Sequence, residues 1–290
     1  MAYSAVSGGE EAIEASIQLL DYYRSGTDKD IELESVTEKF GLLIDKVMSE
    51  AGLYAKSYAA LALKQCEGST EEAVFLLRAY RSTLKRSHYT APVNTDNMRI
   101  IRRISAAFKD IPGGQLLGAT YDYTHRLIHF ESENENSSEL SERFKQILAE
   151  QAPEKIKFYD RVSSLLKKEG LIDTYDEDNT PPCDVTEKLL EFPAARSARL
   201  QTMTRADTGF LSGLSYSVLR GQVHPTVGEL RSGYVELEIP YPYKKEETIS
   251  LGEILLTEAE TFHSASDEKQ LKLACGYGAV FGRNENKAIA

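Results

Sequence analysis

The chain has 290 residues, 41% of them hydrophobic and 27% charged, with a net charge of −11 at neutral pH. That is enough for one large domain or two modest ones with a core that needs no disulfides, and the acidity argues against non-specific binding to DNA or to an anionic membrane surface. Cys66, Cys183 and Cys275 are scattered and odd in number, with no CxxC, which excludes a disulfide framework or zinc ribbon and suits a reducing cytoplasm. The opening MAYSAVSGGEEAIE has neither a basic nor an apolar stretch, so no signal peptide is expected, and no apolar run is long enough to span a bilayer.

The first third reads as helical. Ser7-Gly8-Gly9-Glu10 has the form of a capping box, followed by Ile13, Ile17 and Leu20 at helical spacing; Val36, Phe40, Leu43 and Val47 form a second stripe. Ser57 to Lys64 predicts a short alanine- and leucine-rich helix broken at Gly68. Ser69 to Glu72 repeats the capping box, ahead of a helix with Ala73, Leu76, Leu77, Tyr80 and Leu84 on one face and Arg78, Arg81 and Lys85 elsewhere. Ile100, Ile101, Ile104 and Phe108 predict a further helix over Asn97 to Phe108. The glycines from Gly113 to Gly118 mark a loop, and Arg126 to Phe130 reads as a strand. Residues 131–143, with five Glu, read as an acidic mobile loop. Val162, Leu165 and Leu166 predict a helix ending at Gly170, and residues 173–188 a linker. Val235, Leu237 and Ile239 alternate with Glu236 and Glu238 as a half-buried strand does. Ser250 to Glu253 reads as a third capping box, leading into a helix with Ile254, Leu255 and Ala259. Gly276 to Gly282 reads as a glycine-punctuated strand or turn, and Lys287 to Ala290 as the start of a helix. The fold class is therefore α+β: a helical domain over 1–95, then a mixed domain over 96–290 with antiparallel strands.

Three segments carry candidate chemistry. Arg99, Arg102, Arg103 and Lys109 precede Gly113-Gly114-Gln115, and fixed cations with free backbone amides suit a polyphosphate; a solvated helix face before a tight turn is the alternative. No Walker loop is present. Thr120 to Arg126 gathers Tyr121, Asp122, Tyr123 and His125. Cleaving a glycosidic bond needs a carboxylate near the developing cation and a proton for the departing base, which Asp122 and His125 suit, although a structural hydrogen-bonded cluster has the same composition. His125 and His129 are four apart, but the extended local pattern argues against a shared metal. The third segment, Arg196 to Tyr234, includes Arg199, Arg205, Glu229 and Arg231, and suits an anion site or interface or a set of weak surface ion pairs.

GGEEAI, ALALKQ, EEAVFLLRAYRSTL, RRISAAFKDIPGGQLLGATYDYTHRL, ARSARLQTMTRADTGFL, GELRSGYVELEI, GEILLTEAE and GYGAVFG together resemble the PhnI family of carbon–phosphorus lyase subunits, in the family's order and over nearly the whole chain. The resemblance implies a subunit that joins PhnG, PhnH and PhnJ in a core complex. With PhnG, PhnH and the ATPase-like PhnL it would displace adenine from MgATP with an alkylphosphonate, giving a ribose 1-phosphonate 5-triphosphate; alone it would release the base from ATP or GTP. A non-catalytic scaffold organising PhnJ and a free-standing purine nucleosidase are the competing readings. On the first reading Arg102, Arg103 and Lys109 hold phosphate charge with the amides of Gly113 and Gly114, and Gln115 belongs to the same turn. Asp122 faces the ribose cation, His125 manages a proton, Tyr121 or Tyr123 stacks on or hydrogen-bonds the substrate, and Glu229 and Arg231 form a second candidate pair. Family members continue past GYGAVFG into a tail with two histidines that bind zinc at the junction with PhnJ. This sequence has no counterpart, so a chain without that tail is expected and no metal ligand is carried over. The acidic stretch 131–143 and a shortened loop from Gly221 to His224 also depart from the family.

Overall fold

The computed structural model describes residues 8–26, 30–149, 160–172, 180–221, 224–244, 247–264 and 272–290. Helix α1 (Glu10–Ser25) begins after Gly9, which makes no side-chain cap, and buries none of its residues; Ser7 lies outside the described residues. Four helices then pack on one another: α2 (Leu33–Lys39), α3 (Gly41–Ala51), α4 (Lys56–Gln65) and α5 (Thr70–Thr83). The predicted stripe from Val36 to Val47 is split between α2 and α3, because Phe40 leaves helical geometry and ends one helix before the other begins. Ile44, Val47, Met48 and Leu77 interlock with Ala59, Ala60, Ala62 and Ala73, whose small side chains allow the close approach. Ser69 caps α5 by accepting from the amide of Glu72, as the sequence predicts.

The sheet is antiparallel, in the order β1 (Arg99–Ile104), β2 (Thr226–Pro240), β3 (Thr248–Ser264) and β4 (Leu273–Phe281). Two of its strands replace predicted helices. The segment Asn97 to Phe108 contributes β1, which pairs with Leu230 to Tyr234 with a register shift at Ile101; isoleucines at spacing three and four satisfy a helical pattern, but long-range pairing decides the conformation. Ser250 caps nothing: its hydroxyl donates to Glu236 across the ladder, and Ile254, Leu255 and Ala259 continue along β3. The strand over Val235 to Ile239 forms as predicted, and of the segment Gly276 to Gly282, read as a strand or turn, all but Gly282 lies in β4.

The region from residue 126 to residue 149 corrects two further expectations. Residues 126–130 form no strand; they are exposed and lead into a 3-10 turn, Phe130–Asn134. The second half of the acidic stretch is helical, α6 (Ser137–Ala149), because Leu140, Phe144, Ile147 and Leu148 recur at helical spacing behind the glutamates. Helix α7 (Val162–Lys168) ends at Gly170 as predicted. Of the predicted linker 173–188, residues 173–179 lie outside the described part and 180–188 form neither helix nor strand.

Helices α8 (Arg196–Thr204), α9 (Thr208–Leu219, capped by Asp207) and α10 (Glu285–Ile289) complete the described chain. The sheet is covered on both sides. Ile111, Val162, Leu166 and Ile172 pack on Phe262 from one side, and Ala288 of α10 packs on Leu230, Ala259 and Val280 from the other. Among the described residues no helix is long and apolar enough to cross a membrane.

Candidate functional site

Alternation along β1 sends Arg102 and Arg103 to opposite faces of the sheet. Arg102 is 3% exposed. Its Nη2 donates to Asp122 Oδ2 at 2.7 Å, its Nη1 donates to the carbonyl of Leu117, and its Nε lies 2.7 Å from Glu285 Oε1. It thus ties the loop 116–126 to the start of α10. Asp122 also accepts from Arg126 at 3.2 Å. Burial pushes the Glu285 carboxyl above its usual range, with Arg102 opposing and the charge of Asp122 adding to it.

This side opens onto a cleft of ≈ 860 Å³. Its walls are the α2–α3 corner, the loop from Ala119 to Arg126, Thr208 at the start of α9, and Arg283 to Lys287. Lys39, Lys46, Arg126, Arg283 and Lys287 line it, against Glu38, Asp122 and Glu285. The volume matches a nucleotide-sized ligand, and cations outnumber carboxylates although the whole chain is acidic. Arg283 is fixed by Asp45, which accepts from its backbone amide at 3.0 Å and its Nε at 3.4 Å. Lys287 is 3% exposed and donates to Ser49 Oγ at 3.1 Å. Burial pulls its ammonium down to about 8, with Lys46 and Arg78 adding to the drop and Glu50 opposing it. Tyr121 and Asp122 line the cleft; Tyr123 and His125 are exposed on the same loop but do not line it.

The opposite face carries a buried network of ion pairs, in which Arg231 Nη1 and Glu260 Oε2 have no hydrogen-bond partner among the described residues. Arg103 Nε donates to Glu229, its Nη1 to the carbonyl of Pro112 at 2.6 Å and its Nη2 to that of Asp160 at 3.0 Å. Glu229 also accepts from the amide of Val162 at 2.9 Å. Arg231 donates to Glu258 and to the carbonyl of Thr95. Burial opposes the charge on Arg161, yet Glu258, Asp96 and Glu260 hold its guanidinium well above the usual range. Burial, and then Glu258, push the Tyr277 phenol up. The loop between the two faces is organised by Gln115, which donates to the carbonyls of Phe108 and Lys109 and accepts from the amide of Ser105. Gly113 and Gly114 make the turn with φ of 81° and 78°, conformations that residues with a Cβ rarely adopt.

A family model for bacterial phosphonate metabolism proteins, PhnI, matches residues 2–290. The chain belongs to the PhnI family. It is 42% identical over 295 residues to the alpha-D-ribose 1-methylphosphonate 5-triphosphate synthase subunit PhnI of Escherichia coli K12, covering 99% of this chain and 80% of that protein. It is equally similar, at 42%, to the corresponding PhnI subunit of Rhizobium meliloti, covering 99% of this chain and 78% of that one. A putative C-P lyase subunit of Stutzerimonas stutzeri, HtxH, is also 42% identical, over 100% of this chain and 80% of its own length.

In this PhnI chain the residues singled out from the sequence therefore divide. Tyr121 and Asp122 line the cleft, whereas Arg102 does not reach it: it is buried behind Asp122, its guanidinium taken by Asp122, Glu285 and the carbonyl of Leu117. Arg103, Glu229 and Arg231 pair within the sheet's far side. Lys109, Gly113, Gly114 and Gln115 form an exposed turn beyond β1. Lys39, Lys46, Arg283, Glu285 and Lys287 enter the cleft without having been singled out as a charge cluster. The one available signal was the alternation Arg283-Asn-Glu285-Asn-Lys287 directly after GYGAVFG. Among the described residues no three or more His, Cys, Asp or Glu side chains are gathered as for a metal ion.

Proposed function

We propose that this chain serves phosphonate breakdown as the nucleotide-handling subunit of a carbon–phosphorus lyase complex, and that the cleft beside Asp122 holds its nucleotide. The carrying observation is the convergence of Lys39, Lys46, Arg126, Arg283 and Lys287 with the Arg102-held Asp122 on one nucleotide-sized space. The substrate is MgATP, its magnesium carried by the triphosphate. The cleft cations receive the phosphate charge, and Tyr121 lies against the sugar or base. Asp122, oriented by Arg102 and Arg126, faces C1′ as the glycosidic bond opens and positive charge grows on the ribose. A phosphonate oxygen forms the new bond to C1′. The bonding pair of the broken bond leaves with N9 of adenine, and Glu285, whose protonated form burial favours, is placed to supply the base's proton. With water as the nucleophile the same site releases adenine by hydrolysis.

In this reading Arg103, Glu229 and Arg231 hold the frame behind the site, a role supported by their buried ion pairs. Exposed apolar residues on α1 (Ile13, Ile17, Leu20) and on α6 (Phe144, Leu148) fit contact with partner subunits such as PhnG, PhnH and PhnJ. Incubation of the chain with MgATP, alone and with those partners, and assay of free adenine tests the proposal. Base release that depends on Asp122 supports it. Absence of release under both conditions, with the complex intact, favours the scaffold role instead.

A further inference from the structure

A second group of cations lies outside the cleft, around the end of α3. Gly52 closes that helix in the left-handed region, at φ 65°, and its missing side chain leaves room for two guanidinium groups. A Cβ there would lie 2.9 Å from Arg81 Nη1 and 3.0 Å from Arg205 Nε. Arg78 is fixed beside them, donating to the carbonyl of Glu50 at 2.8 Å and to that of Arg205 at 2.6 Å. Among the described residues no carboxylate forms an ion pair with Arg78, Arg81 or Arg205, and the buried Nε of Arg205 has no partner. The neighbouring acids are engaged elsewhere: Asp184 and Glu187 take Arg86, while the carboxylate of Glu50 faces Lys46 and Thr208. Burial, followed by the charges of Arg81, Arg78 and Arg86, draws the Arg205 guanidinium down to about 10. Such crowding of like charge is costly unless an anion offsets it.

We propose that Arg78, Arg81 and Arg205 form a second anion site, distinct from the cleft, that takes a phosphate-type tetrahedral oxyanion. Arg78 and Arg81 are held by backbone carbonyls and Arg205 is left, among the described residues, with a free donor beside them, which matches a compact, multiply charged group. An acidic protein segment would instead need a row of cations. None of the three arginines lines the cleft, so substitutions in the cleft and in the arginine group can be made separately.

Side-chain Nε–H resonances of arginine in the full-length chain provide the test. Inorganic phosphate, pyrophosphate and adenosine 5′-monophosphate are titrated against chloride at matched ionic strength. Phosphate or pyrophosphate is expected to shift the Arg81 and Arg205 signals saturably, and Arg205→Gln and Arg81→Gln each to weaken that response about tenfold or more. Asp122→Asn, in the cleft, leaves the response unchanged. If only adenosine 5′-monophosphate shifts these signals, the anion is one carried on a larger molecule; if inorganic phosphate does so equally, the free ion suffices. In chloride alone Arg205→Gln is expected to unfold no more easily than the parent chain, since it removes like-charge repulsion, so loss of binding is separable from misfolding. Signals unmoved by all three anions, or moved equally in the Gln variants, overturn the proposal. A response to added partner subunits but to none of the anions overturns it as well.

Discussion

Arg102 and Arg103 are adjacent in sequence, both buried and each paired with a carboxylate, yet they belong to different kinds of site. Arg102 holds Asp122, whose side chain is 47% exposed at the edge of an open cleft. Arg103 holds Glu229, 2% exposed, inside a network closed by backbone carbonyls and amides. The period of two along a strand produces the difference. An arginine–carboxylate pair is available to a ligand only where one partner still faces free volume; a pair enclosed on all sides serves the frame.

The largest expected effect falls on the closed side. Glu229→Ala leaves the Arg103 charge buried without its partner and is expected to lower stability by about 3–5 kcal/mol, measured by denaturant unfolding. A loss under about 1 kcal/mol would mean that the pair is not enclosed. On the open side, Asp122→Asn should change stability by less than about 1 kcal/mol while reducing adenine release about 100-fold or more. Equal losses of stability in the two variants would erase the contrast between the faces.

Smaller effects sharpen the picture of the cleft. Lys39→Ala is expected to weaken nucleotide binding about fivefold at low salt and less as salt rises, checked by calorimetric titration. Lys287 contributes a pH signature. Its folded-state pKa, about 8, lies below the ordinary lysine value of 10.5, so between these values the unfolded chain binds more protons than the folded one. Stability should therefore rise with pH through that window, and Lys287→Met should flatten the rise in unfolding curves taken from about pH 7.5 to about pH 10. An unchanged slope would mean that the amine is as well solvated folded as unfolded.

Much of the helical part was legible locally. Alanine-rich packing, the Ser69 cap and the stop at Gly170 all follow from neighbours along the chain, as does the alternation of β2. The misreadings at Asn97 to Phe108 and at Ser250 to Ala259 share a cause: both segments satisfy a helical pattern over a few residues, and both are claimed by strands far away in sequence. The candidate site was half legible for a similar reason. Asp122 and Arg102 lie in one conspicuous block, whereas Lys39, Lys46, Arg283 and Lys287 come from two distant segments that meet only when α3 packs beside the start of α10.

The sequence alone determined the family, the α+β class and the block that contains Asp122, because those depend on residue identity and short-range order. Only the tertiary structure decided which charges face solvent-filled space and which are neutralised inside. Burial and partnership are set by contacts between segments as far apart as Asp45 and Arg283, and the energy of a charge depends on those surroundings rather than on its place in the chain.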